Sequence, residues 1–484
     1  MSFSMYPIIS LLPFLILIVN VFIILFSIIV YRSHKFVFFT TIIGLNSIFL
    51  SLIYLCNFLP INVNELLDIN IYSLRYIEII IFISLFFVSF SYLYLNKFFF
   101  YREEFYILFL SSLLGSILVI CSNHMIVLFL GMELMSLPII GLMIYSIFDI
   151  ESISVMLKYM ILSIISSVFM LLGIVLIYSI CGNLNFNSIK MYFLTNQIQD
   201  NKILLLGIGF LLISFFFKLS LFPLHFWVSD VYQYTYSILL FYITTVLKIT
   251  TFFVLIKLFF YFPYLQSKIL YFITEIVAIF SIIFGSIMML FQQNIKKFIG
   301  YSSIIHMGYI IVILLVTNQY DNYYKISIIY FIYYVLSNLG LFSMLFLSEL
   351  SQNTKNTKIN YISYYEGLFW KNPKLTIAIT VILFSFLGIP CTLGFIVKFL
   401  MIFFITYHNF WFINFAILVN SGLGIYYYLK MILNLYSCKN INHKIIFKKK
   451  YKNIEILIIF ISMIIFFLGF FPNCIINMIG LHIL

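Results

Sequence analysis

The sequence predicts an all-α polytopic membrane protein of about fourteen transmembrane helices, with two inverted five-helix repeats and broken helices 7 and 12. Three observations lead there. Hydrophobic residues make up 64% of the 484-residue chain and charged residues only 9%, against roughly 25% charged in soluble domains. Mean hydropathy is +1.15, and many apolar runs reach the roughly 20 residues needed to cross about 30 Å of hydrocarbon. Two runs, at 215–233 and 375–406, are interrupted by proline or glycine close to a lysine. Interrupted spans in corresponding halves are the mark of an inverted-repeat transporter.

Taken in order, the spans are expected near 7–30, 36–55, 76–96, 105–122, 124–147, 155–180, 203–228, 232–260, 269–291, 298–317, 325–347, 375–406, 409–436 and 454–478. The first has no basic segment ahead of it and reads as a retained span rather than a cleaved signal peptide. Spans four to eight and nine to thirteen form the two halves. One transmembrane domain thus divides into N-terminal helices (1–104), a first repeat (105–260), a second repeat (269–436), and a basic loop with the last helix (437–484). The weakly apolar stretch from Ser348 to Lys374 reads as a loop with a surface helix.

Loops after odd-numbered spans hold 16 lysines and arginines and loops after even-numbered spans hold 5. The positive-inside rule therefore makes the odd loops cytoplasmic and leaves both termini on the non-cytoplasmic side. The net charge of +12 arises from the same loops. Its densest run, Lys444 to Lys452, lies between two spans, so the sequence points to a membrane lipid surface and not to nucleic acid.

The remaining basic residues, Lys158, Lys218, Lys248, Lys257, Lys398 and Lys430, fall inside spans. A lysine at mid-helix costs about 2.5 to 3.5 kcal/mol on insertion scales, so each needs a partner or a route to the interface. Lys257 and Lys430 lie near span ends and are expected to snorkel. Lys158 stands one turn into its span, where snorkelling and function are both open. Lys218, Lys248 and Lys398 are deeper. Glu133, well inside the fifth span, is the counter-charge to Lys218 or to Lys158, while Glu78 and Glu275 sit nearer span ends.

The stretch FFFKLSLFPLHFWVSDVYQ brings Lys218, Pro223 and His225 together. Proline lacks a donor and crowds the carbonyl four residues back, that of Leu219, leaving an unsatisfied acceptor beside the amine. In the twelfth span, 32 residues would make a straight helix of about 48 Å, too long for the bilayer core. Gly388, Pro390 and Gly394 supply the break ahead of Lys398.

A free lysine titrates near 10.4, and burial lowers that by several units, so a buried amine is able to carry protons where an arginine is not. A carboxylate approaching it favours the charged form and a departing one releases the proton. His225 and His306 are relay candidates. Six scattered cysteines form no cluster or zinc pattern, and no P-loop or dinucleotide fingerprint occurs. The energy for transport is therefore expected from an ion gradient or a partner.

The segments GMELMSLPIIGLMIYS, LKYMILSIISSVFMLLGIVLIYSICGNLNF, FKLSLFPLHFWVSDVYQ, NIKKFIGYSSIIHMGYI, YEGLFW and LGIPCTLGFIVKF closely resemble the subunit N family of bacterial NADH:quinone oxidoreductase, respiratory complex I. The resemblance runs over almost the whole chain. It implies a bacterial inner-membrane, proton-translocating subunit with Glu133 and Lys218 as coupled acid and amine. Lys248 would be the central relay, Lys398 the residue of the second half-channel, and Lys158 and His225 supporting members. It also implies that this chain holds no cofactor: NADH, FMN, iron–sulfur clusters and quinone would belong to partner subunits. Those partners are other membrane and peripheral subunits, including other antiporter-like ones. The alternative is a subunit of a multi-component cation/H+ antiporter, and a third is a structural subunit with a vestigial polar axis. One departure stands out: Tyr234, Thr235 and Tyr236 replace a Gly/Ala/Pro-rich turn, which implies an altered start to the eighth helix.

Overall fold

The computed structural model describes residues 9–474 apart from 64, 99–101, 146–149, 196–201, 263–266, 317–319, 352–359 and 438–450. Most of the basic run at 444–452 lies outside the described residues. The helices are α1 (Leu12–Val30), α2 (His34–Leu55), α3 (Ile71–Phe98), α4 (Glu103–Cys121), α5 (Met125–Ile144), α6 (Ile150–Cys181), α7 (Phe186–Thr195), α8 (Lys202–Leu219) and α9 (Phe226–Tyr234). They continue with α10 (Ser237–Tyr261), α11 (Lys268–Leu290), α12 (Ile295–Val316), α13 (Tyr320–Ser351), α14 (Pro373–Leu387), α15 (Leu393–Tyr407), α16 (Trp411–Tyr436) and α17 (Lys452–Phe470). Among the described residues thirteen helices are long and apolar enough to cross a membrane, and the shorter apolar pair α14 and α15 makes up the broken twelfth span. The chain is a multi-pass membrane protein of the expected all-helical class.

Two compact units emerge. The first takes residues 1–219 and 242–270, the second 220–241 and 271–484. The chain changes unit within both the seventh and the eighth spans. In the first unit α5 lies against α4, and α6 against α8. In the second, α9 rests on α12, and α17 lies against α13 and α14.

Close packing of α4 on α5 depends on absent side chains. A Cβ on Gly115 would stand 2.5 Å from the Met135 nitrogen and 2.7 Å from the Leu134 carbonyl carbon. Small residues at such crossings let backbones approach where lipid provides no hydrophobic drive. Gly115→Ala is expected to destabilise the chain by about 1 to 3 kcal/mol through overpacking. The check is the unfolding temperature in detergent, and no drop would mean that α4 and α5 part freely.

The seventh span is broken as expected, with helix stopping at Leu219, where Ser220 adopts a left-handed φ of 62°, and resuming only at Phe226, but three details differ from expectation. Its second half then runs to Tyr234, so the junction with the eighth span falls at Thr235 rather than near residue 230. A two-stranded hairpin pairs Ile61–Val63 with Leu67–Ile69, because alternating apolar positions in this polar link have a buried face to cover. Finally, α7 is a ten-residue helix that buries only Phe186 and Ile189, too short to cross a bilayer.

Candidate proton-transfer site

Lys218 occupies the last turn of α8 and is buried. Its Nζ donates to the carbonyl of Met132, 3.4 Å away on α5. The next residue is Glu133, half-buried, which interacts electrostatically with Lys218 and also with the buried Tyr159 of α6. The expected acid and amine are therefore brought together. The contact is made at a helix end: α8 stops one residue after the lysine, and the amine reaches the α5 backbone beside Glu133.

Lys248 is fully buried on α10. Immediately before it, Ile243–Leu247 form a π-helical segment. Such a segment carries one residue more than an α-helical turn and recurs at functional sites. Thr250 and Thr251, one turn on, donate to the carbonyls of Val246, Leu247 and Lys248, and the Thr250 hydroxyl also lies 3.2 Å from the Met135 sulfur. On the preceding turn the Tyr242 hydroxyl meets Ser112 of α4 at 2.9 Å. Within the first unit α5 thus approaches both lysine-bearing helices, through Met132 to Lys218 and through Met135 to the turn after Lys248.

In the second unit, Lys398 lies one turn into α15 and is half-buried. It donates to the carbonyls of Phe386 and Leu387, both at 2.8 Å. These are exposed by the end of α14, where Gly388 takes a left-handed conformation with φ 79°. A helix C-terminus carries partial negative charge, so the amine sits where the broken helix favours a cation. His225 is buried among Phe222, Phe226 and Phe284, with ring centroids 5.6, 4.9 and 4.3 Å away. Its Nδ1 has no hydrogen-bond partner among the described residues. His306 is buried too, with Nδ1 2.8 Å from the Tyr330 hydroxyl. Lys158 is exposed on α6 and Lys430 is exposed on α16.

Lys257 corrects the sequence reading. It does not snorkel: the side chain is 2% exposed and donates to the carbonyls of Ile120 at 2.6 Å and Ser122 at 3.1 Å. Those carbonyls close α4, so the helix terminus, together with the buried Asp68 carboxylate that acts electrostatically on the amine, supplies the counter-charge that sequence position alone does not reveal. Lys257→Met is expected to lower thermal stability by about 2 kcal/mol, in the range for hydrogen bonds to charged groups. Proton transport should be retained, which distinguishes this lysine from Lys218 when both properties are measured on the same preparation.

Sequence reasoning also misses an ion pair. Lys296 reads as a loop charge, yet it is buried at the start of α12 and lies 2.8 Å from Glu349 of α13. The two are far apart in sequence, and no motif links them. Among the described residues no group of His, Cys, Asp and Glu is arranged to hold a metal ion.

Residues 122–424 match the family described as NADH:quinone oxidoreductase/Mrp antiporter, transmembrane. The chain is 39% identical over 498 aligned positions to the NADH-quinone oxidoreductase subunit N of Buchnera aphidicola subsp. Schizaphis graminum, covering 99% of each. It is 38% identical to the subunit of the same name from Buchnera aphidicola subsp. Acyrthosiphon pisum, covering 97% of each. A chain of respiratory complex I from Thermus thermophilus superimposes with a TM-score of 0.80 at 23% identity, over 96% of this chain and 98% of that one. At that identity the likeness speaks to the fold.

Proposed function

We infer, from the premise that this chain belongs to the NADH:quinone oxidoreductase/Mrp antiporter transmembrane family, that it is a proton-translocating membrane subunit of NADH:quinone oxidoreductase. Electron transfer from NADH to quinone takes place in partner subunits, which carry flavin, iron–sulfur clusters and the quinone site. This chain couples to that reaction from a bacterial inner membrane, with both termini on the non-cytoplasmic side. Its partners are the other membrane and peripheral subunits.

The observation that carries the mechanism is the burial of Lys218 beside Glu133. A change reaching α5 or α8 alters the distance between acid and amine. Separation disfavours the charged amine and releases its proton, and approach favours uptake. The proton passes to Lys248, whose turn is tied to α5 through Thr250 and Met135. Lys398, held on the carbonyl end of α14, serves the second half of the path. His225 and Lys158 support the transfer.

The test is NADH-driven acidification in vesicles carrying the assembled complex, in sodium-free medium. A proton gradient that tracks quinone reduction is expected. Recovery of the chain without flavin- and cluster-bearing partners, together with sodium-dependent proton exchange in the absence of NADH, would overturn this reading in favour of a cation/H+ antiporter.

A further inference from the structure

We propose that Lys296 and Glu349 are positioning residues for proton transfer through Lys248, acting by clamping the start of the helix that carries it. The proposal rests on the functional reading above and extends it to a pair that this reading does not use.

The clamp closes on the turn from Thr235 to Ser237, which joins α9 to α10. Thr235 ends α9 in an extended conformation, φ −94° and ψ 158°, and its carbonyl points away from the helix ladder. Lys296 Nζ donates to that carbonyl at 2.8 Å and to Glu349 Oε1, also at 2.8 Å. The carboxylate then grips the other side of the turn. Oε1 accepts from the backbone N–H of Ser237 at 3.3 Å, and Oε2 accepts from the Ser237 hydroxyl at 2.7 Å. Ser237 is the first residue of α10, so Glu349 supplies from α13 the capping acceptor that a helix start needs, with a charge matched to the helix dipole. A further bond from the Tyr232 hydroxyl to Ser303, at 3.1 Å, holds α9 on α12.

The placement gives the clamp its consequence. Residues 220–241 belong to the second unit and 242–270 to the first. Helix α10 therefore starts where Glu349 holds it and, after the π-helical segment, presents Lys248. A displacement at Ser237 is passed along a continuous helix to an amine whose proton transfer depends on sub-ångström placement. Both partners are largely buried, with side-chain exposures of 7% and 15%. Removing one charge would leave the other uncompensated.

The experiment uses the assembled complex, with Glu349→Gln, Lys296→Arg and Ser237→Ala. Hydrogen–deuterium exchange over residues 235–242 is measured beside NADH-driven pumping per assembled complex, and Lys248→Ala is the control. Glu349→Gln is expected to speed exchange about tenfold, as for loss of a charge-assisted hydrogen bond, and to slow pumping about tenfold. Lys296→Arg keeps charge and donors and should pump close to normally. Ser237→Ala removes one contact, leaves the ion pair intact, and should show a smaller change of the same sign in both measurements. It keeps the test open should Glu349→Gln fail to assemble.

Faster exchange in Glu349→Gln or Ser237→Ala with normal pumping would make the pair a brace of the fold and overturn the proposal. So would unchanged exchange and pumping. Restored pumping in the doubly swapped Lys296→Glu, Glu349→Lys variant would also overturn it, because a lysine at 349 has no acceptor for Ser237. If these failures occur while Lys248→Ala abolishes pumping, the proton-transfer reading survives and the clamp alone falls. Normal pumping in Lys248→Ala would remove both.

Discussion

Lys218→Ala is expected to leave the complex assembled while reducing NADH-driven pumping about a hundredfold or more, the scale lost when a positioned proton-transfer group is removed. The side chain ends among α5 backbone and Glu133, and its hydrogen bond to the Met132 carbonyl is long at 3.4 Å. Its loss therefore removes an ionisable group without dismantling a network. Lys218→Arg separates the two properties of the amine. Arginine keeps the positive charge next to Glu133 but does not release its proton, so it too should fail to pump. Glu133→Gln should fail for the complementary reason, since it leaves the amine without the charge that drives uptake. Pumping assays normalised to assembled complex decide this, and a Lys218→Ala complex that pumps at the normal rate would sink the assigned role.

Gly394→Ala is expected to be the most destabilising single methyl addition in the second unit, at about 3 kcal/mol or more, the upper range for overpacking. A Cβ there would fall 1.8 Å from the Ser385 carbonyl oxygen and 3.0 Å from Tyr333. The obstruction is backbone, which does not swing aside. To accept the methyl, α15 must withdraw from the end of α14, and Lys398 then loses the carbonyls of Phe386 and Leu387. Gly388→Ala makes the comparison. Its Cβ would meet the flexible Lys398 side chain, 2.8 Å from Cδ, so the penalty is mainly that of a left-handed alanine, about 1 to 2 kcal/mol. Unfolding in detergent should rank Gly394→Ala well below Gly388→Ala. Equal values would show that the two halves of the broken helix are not held in contact.

Legibility tracks the size of each physical penalty. Lys218, Lys248 and Lys398 stand out because an amine in hydrocarbon is expensive wherever its partner lies. The broken twelfth helix stands out because 32 residues overrun a bilayer and Gly388, Pro390 and Gly394 leave few other outcomes. Lys257 misleads because the carbonyls that hold it come from α4, far away in the chain. Lys296 and Glu349 escape notice for the same reason: each looks like an ordinary charge near a span end. The π-helical segment before Lys248 is hidden because ITTVL has nothing to distinguish it from the α-helical sequence on either side.

A wide turn at ITTVL absorbs one surplus residue without rotating the helix beyond it. Shortening this stretch by a single position should therefore let the turn tighten to ordinary helix with Lys248 still aimed as before. A deletion one turn later, in TTFFV, has no slack to draw on and should swing the remainder of the helix by about 100°. The turn leading into the amine is thus a place where the chain can lose length and keep direction.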